Sequence, residues 1–481
     1  MFRQWQAGSA CIPGGRKRTH KSNRRSRRGA VVVLMAVLLT VLLGMIAFAV
    51  DVGYMLTART ELQCAADAAA LAGVGAMRNA DEDVQTVVHQ YINANLPAGR
   101  AIPPEDITFE EGIWDDQTRV FSSGGRYPSA LRLQVQIADH PLFFGRVLGQ
   151  QSFETQAEAI AMYMPRDIMV VLDYSGSMND DSELKQVGRL PQADIEANLY
   201  EIYQQLGSPV FGSMQWQPQY ISSNRTSTIK RTLGLDRVPY PYPSGSWSDY
   251  ISYVKSSGSL RHDGINYRKK YGYLTLVNYW LERRPKHNQT PDLWQTSEQP
   301  ITAVKDAVTV LLADILDMRA DDRVGLSVYT SANGAAVLES PLTDDLGLIE
   351  QTSRQRQAGH YDVYTNIGAG MQVARQQMTS NARHSAFKMI VLMTDGMANR
   401  PSGYANQFVL DEAQRCADAG YPIMTISLGA GADTSLMQQV ADITDGVHFN
   451  IPGGQSVSAY EAQLQEVFHD IAAHRPLRIV N

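Results

Sequence analysis

Cysteine is nearly missing from this chain, with three thiols in 481 residues at Cys11, Cys64 and Cys416. That scarcity excludes a disulfide framework; Cys416 sits on an apolar helical face and reads as core. Ten histidines are scattered. His469 and His474 fall on different faces of a helix and form no metal-binding pair. Gly429-Ala430-Gly431 follows an apolar run without a Walker lysine, so no phosphate-cradling loop of that kind is present. Tyr174-Ser175-Gly176 fails as a nucleophile elbow, because Asp173 and Ser177 stand where the flanking glycines belong. Internal repeats and low-complexity segments are absent. No general base is placed beside a nucleophile, and an enzyme is not expected.

Acidic side chains are missing from the first 29 residues, and charge of either sign is missing from residues 30 to 50. The uncharged run is long enough to cross a hydrocarbon core of about 30 Å as a helix. Before it stand nine basic residues, Arg3, Arg16, Lys17, Arg18, Lys21, Arg24, Arg25, Arg27 and Arg28. Basic flanks stay in the cytoplasm, which sends everything after Asp51 to the other side and leaves Cys11 behind. Ala47-Phe48-Ala49 fits a signal-peptidase site, but the run exceeds the roughly 7 to 15 residues of a signal core, so a retained anchor is the reading taken. A nucleic-acid patch is the other reading of the basic stretch; beside a span, topology explains it more simply. Of the chain's 43 basic and 49 acidic residues, setting those nine aside leaves 34 against 49, a net −15. A remainder of that charge repels nucleic acid, and no such partner is expected.

Five oxygen-bearing residues carry the main functional signal: Asp173, Ser175, Ser177, Thr365 and Asp395. Asp173 closes the apolar run 168–172, and Asp395 closes a second, 389–394; continuous runs of this kind read as strands buried on both faces. Both acids therefore lie at carboxyl ends of strands, where open parallel sheets bind ligands at a switch in strand order. Thr365 opens the helical pattern Ile367, Met371, Ala374, Met378. Three hydroxyls and two carboxylates are hard donors suited to Mg²⁺ first, with Mn²⁺ or Ca²⁺ as alternatives. The bland alternative is that Asp173 and Thr365 cap helices and Ser177 sits in a turn.

The pattern Asp-x-Ser-x-Ser, distant Thr, distant Asp resembles the metal-ion-dependent adhesion site of von Willebrand factor type A domains. The resemblance implies that Ser175, Ser177 and Thr365 supply neutral oxygens, that Asp173 and Asp395 act largely through water, and that an acidic side chain of a protein partner completes the shell. Periodicity elsewhere agrees with α/β architecture: helical spacing at Ile301, Val304, Val308, Leu311 and Ile315, strands near 324–329, 336–338, 422–428 and 447–451, a helix through Val409 and Cys416 ending at Gly420, and a closing helix from Val457 to Ile471. The fold class is a doubly wound, mostly parallel α/β sheet of six strands, Rossmann-like, preceded by a transmembrane helix and a small α+β module.

In that module, Leu62 to Gly73 is a strong helix former with small side chains, so the span is expected to continue outward as one helix. An amphipathic helix through Val84 to Ile92 and strands at 131–137 and 153–164 follow. Arg27 to Val33, Val50-Asp51-Val52-Gly53-Tyr54 and Ala65 to Gly73 together resemble the N-terminus of TadE/TadG-like proteins of tight-adherence (Flp) pilus systems. The departure is Leu34 where a prepilin-type site wants an acid, so pilin-like processing is not expected.

Residues 179 to 300 separate the Asp-x-Ser-x-Ser turn from the helix that should follow it, and hold eleven tyrosines and four tryptophans. They read either as a recognition surface or as the insertion's own core. Asp180 and Asp181 are near enough in sequence to add charge at the site, with a solvated loop as the default. The resulting division is a basic cytoplasmic tail (1–29), a transmembrane helix (30–50), an extracytoplasmic module (51–164) and a type A domain (165–481) carrying the 179–300 insertion. The implied role is metal-dependent protein binding at a bacterial inner membrane, in assembly or attachment of a pilus or envelope structure. The alternative is a scaffold subunit whose helix 51–76 enters a bundle beneath a passive head.

Overall fold

The computed structural model describes residues 28–77, 82–95, 97–115, 118–125, 128–317, 321–330, 336–453, 457–473 and 476–480. Most of the basic stretch, Cys11 and His474 lie outside them. Helix α1, Arg28–Ala76, is continuous over 49 residues, roughly 70 Å at about 1.5 Å per residue. Its portion from Val31 on is long and apolar enough to cross a membrane. The change in its surroundings falls near Asp51: large apolar side chains from Val31 to Phe48 are bare, whereas Ala58, Leu62, Ala66, Ala69, Ala70 and Val74 are buried.

That buried stripe packs within the chain. Helix α2, Val84–Asn95, and strands β1, Ile107–Asp115, β2, Val120–Ser123, β3, Ala130–Pro141, and β4, Ser152–Tyr163, form an antiparallel module against it. Alternation along β3 turns Leu131, Leu133 and Val135 toward α1, as a half-buried strand requires. The small residues of α1 permit this approach: a Cβ at Gly73 would lie 2.7 Å from Val88 Cγ2 and 3.2 Å from Leu131 Cδ1. Two strands of this sheet, β1 and β2, had no reading in the sequence.

After a two-residue link, β5, Arg166–Asp173, enters the α/β domain. The insertion then contributes α3, Gln192–Gln205, β6, Gln219–Tyr220, α4, Thr226–Thr232, α5, Trp247–Ser256, β7, Arg261–His262, β8, Ile265–Asn266, β9, Lys270–Tyr271, and α6, Tyr273–Arg283. Its aromatics settle the choice left by the sequence. Trp247, Trp280, Tyr250, Tyr271 and Tyr279 are buried with Ile202, Leu199 and Val277 in a core belonging to the insertion. Trp216 and Trp294 are half-buried. Most of the aromatics thus build a core, while Tyr200 and Tyr220 remain exposed.

The α/β domain resumes with α7, Ile301–Asp317, β10, Arg323–Tyr329, β11, Val337–Thr343, α8, Leu346–Arg354, α9, Ile367–Asn381, β12, Phe387–Thr394, α10, Ala405–Asp418, β13, Ile423–Leu428, α11, Thr434–Ile443, β14, His448–Ile451, and α12, Val457–Ala473. Its sheet has six strands in the order β11-β10-β5-β12-β13-β14, parallel except for the edge strand β11. Helices α7 and α12 cover one face; α9, α10 and α11 cover the other. Strand order reverses between β5 and β12, the place where such sheets bind ligands. The last strand, β15, Leu477–Ile479, leaves the α/β sheet and pairs antiparallel with β4, Leu477 opposite Tyr163.

Charge fixes the amino end of β5. Arg166 is fully buried; its Nε donates to Asp322 Oδ2 at 3.0 Å and its Nη1 to the carbonyls of Ile471 and Ala472 at 3.1 and 2.9 Å. Removing one partner of a buried pair costs about 3–5 kcal/mol. Asp322→Ala should lower the urea midpoint of the domain accordingly, whereas Arg166→Met with Asp322→Leu should lose much less; equal losses would mean that the pair itself is not what matters.

Next door, Asp167 accepts from Arg323 Nη2 at 2.7 Å and from Arg383 Nη2 at 2.8 Å. Burial pushes its carboxyl up, but the hydrogen bonds from the Arg323 guanidinium, the Arg383 backbone N–H and the Arg383 guanidinium outweigh it and hold it below its ordinary 3.8. Because the folded value is depressed, the stabilisation is complete above 3.8 and fades as pH falls through the lower folded value. Asp167→Asn should therefore destabilise most near neutrality, the gap from the parent narrowing as pH drops below about 4, read from denaturation midpoints across pH.

Candidate functional site

The sheet delivers two carboxylates to one crevice. β5 ends on Asp173, and β12 runs beside it and ends one residue before Asp395. In the turn after β5, the Ser175 backbone N–H donates to Asp173 Oδ1 at 2.8 Å. This bond folds the chain back so that Ser175 Oγ lies 3.0 Å from Ser177 Oγ. Ser177 Oγ then donates to Asp395 Oδ1 at 2.7 Å. Thr394 Oγ1 donates to Asp173 Oδ2 at 3.0 Å. Tyr174 points the other way, its hydroxyl donating to the Ser353 carbonyl at 3.2 Å, so alternate residues of the turn serve the core and the crevice.

Thr365 arrives from the start of α9, though not as its cap. Asn366 holds that place, its Oδ1 accepting from Ala369 N–H at 3.3 Å, which removes capping as the explanation of Thr365. The Thr365 backbone N–H donates to Asn399 Oδ1 at 3.0 Å, and among the described residues its hydroxyl has no hydrogen-bond partner. The bare face of Gly396 lies between the hydroxyls: a Cβ there would sit 3.4 Å from Ser177 Oγ and 3.9 Å from Thr365 Oγ1. The structure thus joins Asp173, Ser175, Ser177 and Asp395 through hydrogen bonds and sets Thr365 across Gly396 from them.

A cleft of about 340 Å³ opens over this group, lined by Ser177, Thr365, Asp395, Asp181, Arg189 and Gly431 among others. The glycine-rich stretch after β13 forms its wall. A Cβ at Gly431 would stand 2.7 Å from the Asp395 carbonyl oxygen, so closeness to the backbone, not phosphate binding, accounts for that glycine. Arg189 donates to Gln186 Oε1 at 3.1 Å. The solvated-loop reading of Asp180 and Asp181 does not hold. Asp180 is half-buried and accepts from Lys185 Nζ at 2.6 Å, and Asp181 lines the cleft, its carboxyl pushed up to about 6 by burial and by Asp180.

Electrostatically the crevice is short of positive charge. Burial raises the Asp173 carboxyl above its ordinary value despite the bonds from Ser175 and Thr394. Burial, and next the nearness of Asp173, raise Asp395 further, against the Ser177 bond. Among the described residues neither acid forms an ion pair with lysine, arginine or histidine. Two buried carboxylates, three hydroxyls and no basic partner fit a hard divalent cation by the chemistry of the donors. Among the described residues no three histidine, cysteine, aspartate or glutamate side chains gather into a metal-binding group, so any such site depends on its hydroxyls.

The insertion is fastened to the loop that precedes Thr365. Gln357 Nε2 donates to the carbonyls of Pro285 and Thr290 at 2.6 and 2.9 Å. Lys286 Nζ lies 2.8 Å from Asp362 Oδ1, and the rings of His287 and His360 stack at 4.6 Å. The same loop touches the Asp173 turn: Gly359 N–H donates to the Tyr174 carbonyl at 2.9 Å, and Gly176 N–H to the Val363 carbonyl at 3.3 Å. None of Gln357, Asn399 or Arg189 stands out in the sequence, whereas Thr394 adjoins the acid that does.

The fold and the site define a doubly wound α/β domain with its crevice at the β5/β12 switch, set behind a long apolar helix. Residues 294–463 match the von Willebrand factor type A domain, and residues 29–78 match the family described as putative Flp pilus-assembly TadE/G-like. The chain thus carries a TadE/G-like segment ahead of a von Willebrand factor type A domain. The type A match opens at 294 because the insertion parts β5 and its turn from the rest in sequence, though not in space. Similar solved structures include an aerotolerance-related membrane protein from Bacteroides fragilis, at 16% identity over 36% of this chain and 90% of that one, with a TM-score of 0.28. A von Willebrand factor type A protein from Catenulispora acidiphila has 11% identity over 76% of this chain and 49% of its own, with a TM-score of 0.33. Proximal thread matrix protein 1 from the mussel byssus, with zinc in its MIDAS motif, has 13% identity over 66% and 98%, with a TM-score of 0.29. No curated protein matches the chain. The two matched domains support a membrane-associated role in adhesion or pilus assembly.

Loss of both Gln357 bonds strands the buried Pro285 carbonyl and leaves the Thr290 carbonyl only the Leu293 N–H at 3.4 Å, at about 1–3 kcal/mol. Gln357→Ala should speed amide hydrogen exchange over residues 285–296 while α12 stays protected; unchanged exchange there would show that the insertion is held by other contacts.

Proposed function

We propose that this protein is a single-pass membrane protein whose α/β head captures a protein partner through a divalent cation, in the assembly or attachment of a pilus or envelope structure. The observation that carries the reading is the hydrogen-bonded series Asp173, Ser175, Ser177 and Asp395, which reaches with Thr365 a cleft lined by Ser177, Thr365 and Asp395, the two buried acids having no basic partner among the described residues. Mg²⁺ is the first choice for so hard a donor set, with Mn²⁺ and Ca²⁺ as alternatives. When bound, the cation would offer an open position to an oxygen ligand. Ser175, Ser177 and Thr365 would hold it through neutral oxygens, and Asp173 and Asp395 would balance its charge. Arg189 stands exposed at the edge of the same cleft, where an arriving acidic side chain meets a guanidinium.

The head acts by binding and not by catalysis in this reading, since the cleft places no histidine beside a nucleophile. The nine basic residues ahead of the span put the N-terminus in the cytoplasm and the head outside the inner membrane of a bacterium. The scaffold alternative would have to use the face of helix 51–76 that carries the exposed Leu56, Thr60 and Cys64, because Leu62, Ala66, Ala69 and Ala70 are already covered by the chain's own sheet and α2.

Calorimetric titration with Mg²⁺ and Mn²⁺ tests this on the full chain in detergent, because a fragment starting at 165 would strip β15 of its partner β4. Asp173→Ala should weaken cation binding by at least about tenfold, some 1.4 kcal/mol, without lowering the unfolding midpoint. Equal binding by parent and variant would overturn the proposal.

A further inference from the structure

The turn between β3 and β4 carries an apolar tip that the binding role does not use. Phe143, Phe144 and Val147 are 62%, 44% and 85% exposed. Residues of a surface turn are ordinarily polar; large apolar side chains gathered at one tip call for a covering partner. The tip is also held in place. Asp51, at the end of the uncharged run of α1, is buried, and its carboxylate accepts from the Phe143 N–H at 3.0 Å and from the Phe144 N–H at 3.1 Å. One turn further along α1, Tyr54 donates to or accepts from His140 Nε2 at 2.9 Å and packs its ring 4.8 Å from Phe143.

These ties lay the tip beside the membrane-crossing part of α1. A groove of about 930 Å³ runs between them, walled by Gly44, Ile46 and Phe48 on the helix and by Leu142, Phe144 and Val147 on the turn. Whatever covers Ile46 and Phe48, 52% and 63% exposed, reaches the tip as well. In a membrane that cover is lipid. The composition agrees: two aromatics and a valine surround Arg146, which has no acidic partner among the described residues and is free to meet a lipid phosphate.

We propose that the 142–148 turn is a second membrane contact, seated in the interface of the leaflet on the head's side, so that the module is held against the bilayer at two places and keeps one orientation to it. The inference rests on α1 crossing the bilayer, and the test separates the two. In a Cys11→Ser/Cys64→Ser background, Val147→Cys, Phe48→Cys and Val210→Cys are each labelled with an environment-sensitive fluorophore, and the full chain is placed in anionic phospholipid vesicles with and without shallow doxyl-labelled lipid. Val210 is 76% exposed on the insertion and serves as the aqueous reference. The labels at 48 and 147 should shift to shorter wavelength and lose about half their intensity to the quencher lipid, since interfacial side chains sit only some 5–10 Å deep; the label at 210 should not. Quenching at 48 without quenching at 147 overturns the second contact and leaves the span standing. Absence of quenching at both positions overturns the span, and this contact with it. A blue shift at 147 that the quencher lipid leaves untouched means that protein, such as a second copy, covers the tip, and overturns the lipid contact.

Discussion

Placing Asp173 and Asp395 together at the carboxyl edge of the sheet is the constraint around which the head is arranged. Two carboxylates withdrawn from water and held near each other raise the free energy of the folded chain unless opposite charge reaches them. The sequence supplies such charge one strand-length away: at the amino end of β5, Arg323 and Arg383 surround Asp167 and Arg166 meets Asp322. At the carboxyl end it supplies hydroxyls. One strand thus begins in a neutralised network and ends in a crevice where, among the described residues, neither buried acid has an ion-pair partner.

The insertion belongs to this arrangement. It leaves the chain directly behind Ser177, returns just before α7, and places Asp181 and Arg189 on the cleft. Because Gln357 and Lys286 fasten it to the loop before Thr365, it bears on both chain segments that bring hydroxyls to the crevice. Most of its aromatics are spent on its own core, with Tyr250 donating inward to the Gly272 carbonyl at 3.0 Å, so its wall beside the cleft stands on a packed interior.

The parts of the fold that could be read in advance are those with a strong local signal. β5, β12 and β13 are continuous apolar runs, and α7 and α12 keep helical spacing, so the six-stranded sheet followed. α8 was missed because few apolar residues mark its short length; Ile349 alone of its aliphatic side chains is fully buried. α11 was missed although Asp433 caps it, accepting from Leu436 N–H at 3.0 Å, a signal the sequence does carry. β15 is three residues long and is defined by pairing with a strand more than three hundred positions earlier, which no local pattern reports. At the site, residue types in order pointed to the five oxygens. The Gln357 and Asn399 contacts that position them depend on loops meeting in space and leave no periodic trace.

The head leaves the small module by two chain segments, not one. β4 runs into β5 after two residues, and α12 returns to β15, which pairs with β4; Arg166 bridges the two paths through the carbonyls of Ile471 and Ala472. Tension applied to the head is therefore divided between two parallel lines, both ending on a sheet braced by α1. A single flexible tether would let the head swivel and would load one peptide strand. A double, cross-linked mount passes force to the membrane helix with the head's heading kept, as a fixed bracket does and a chain does not.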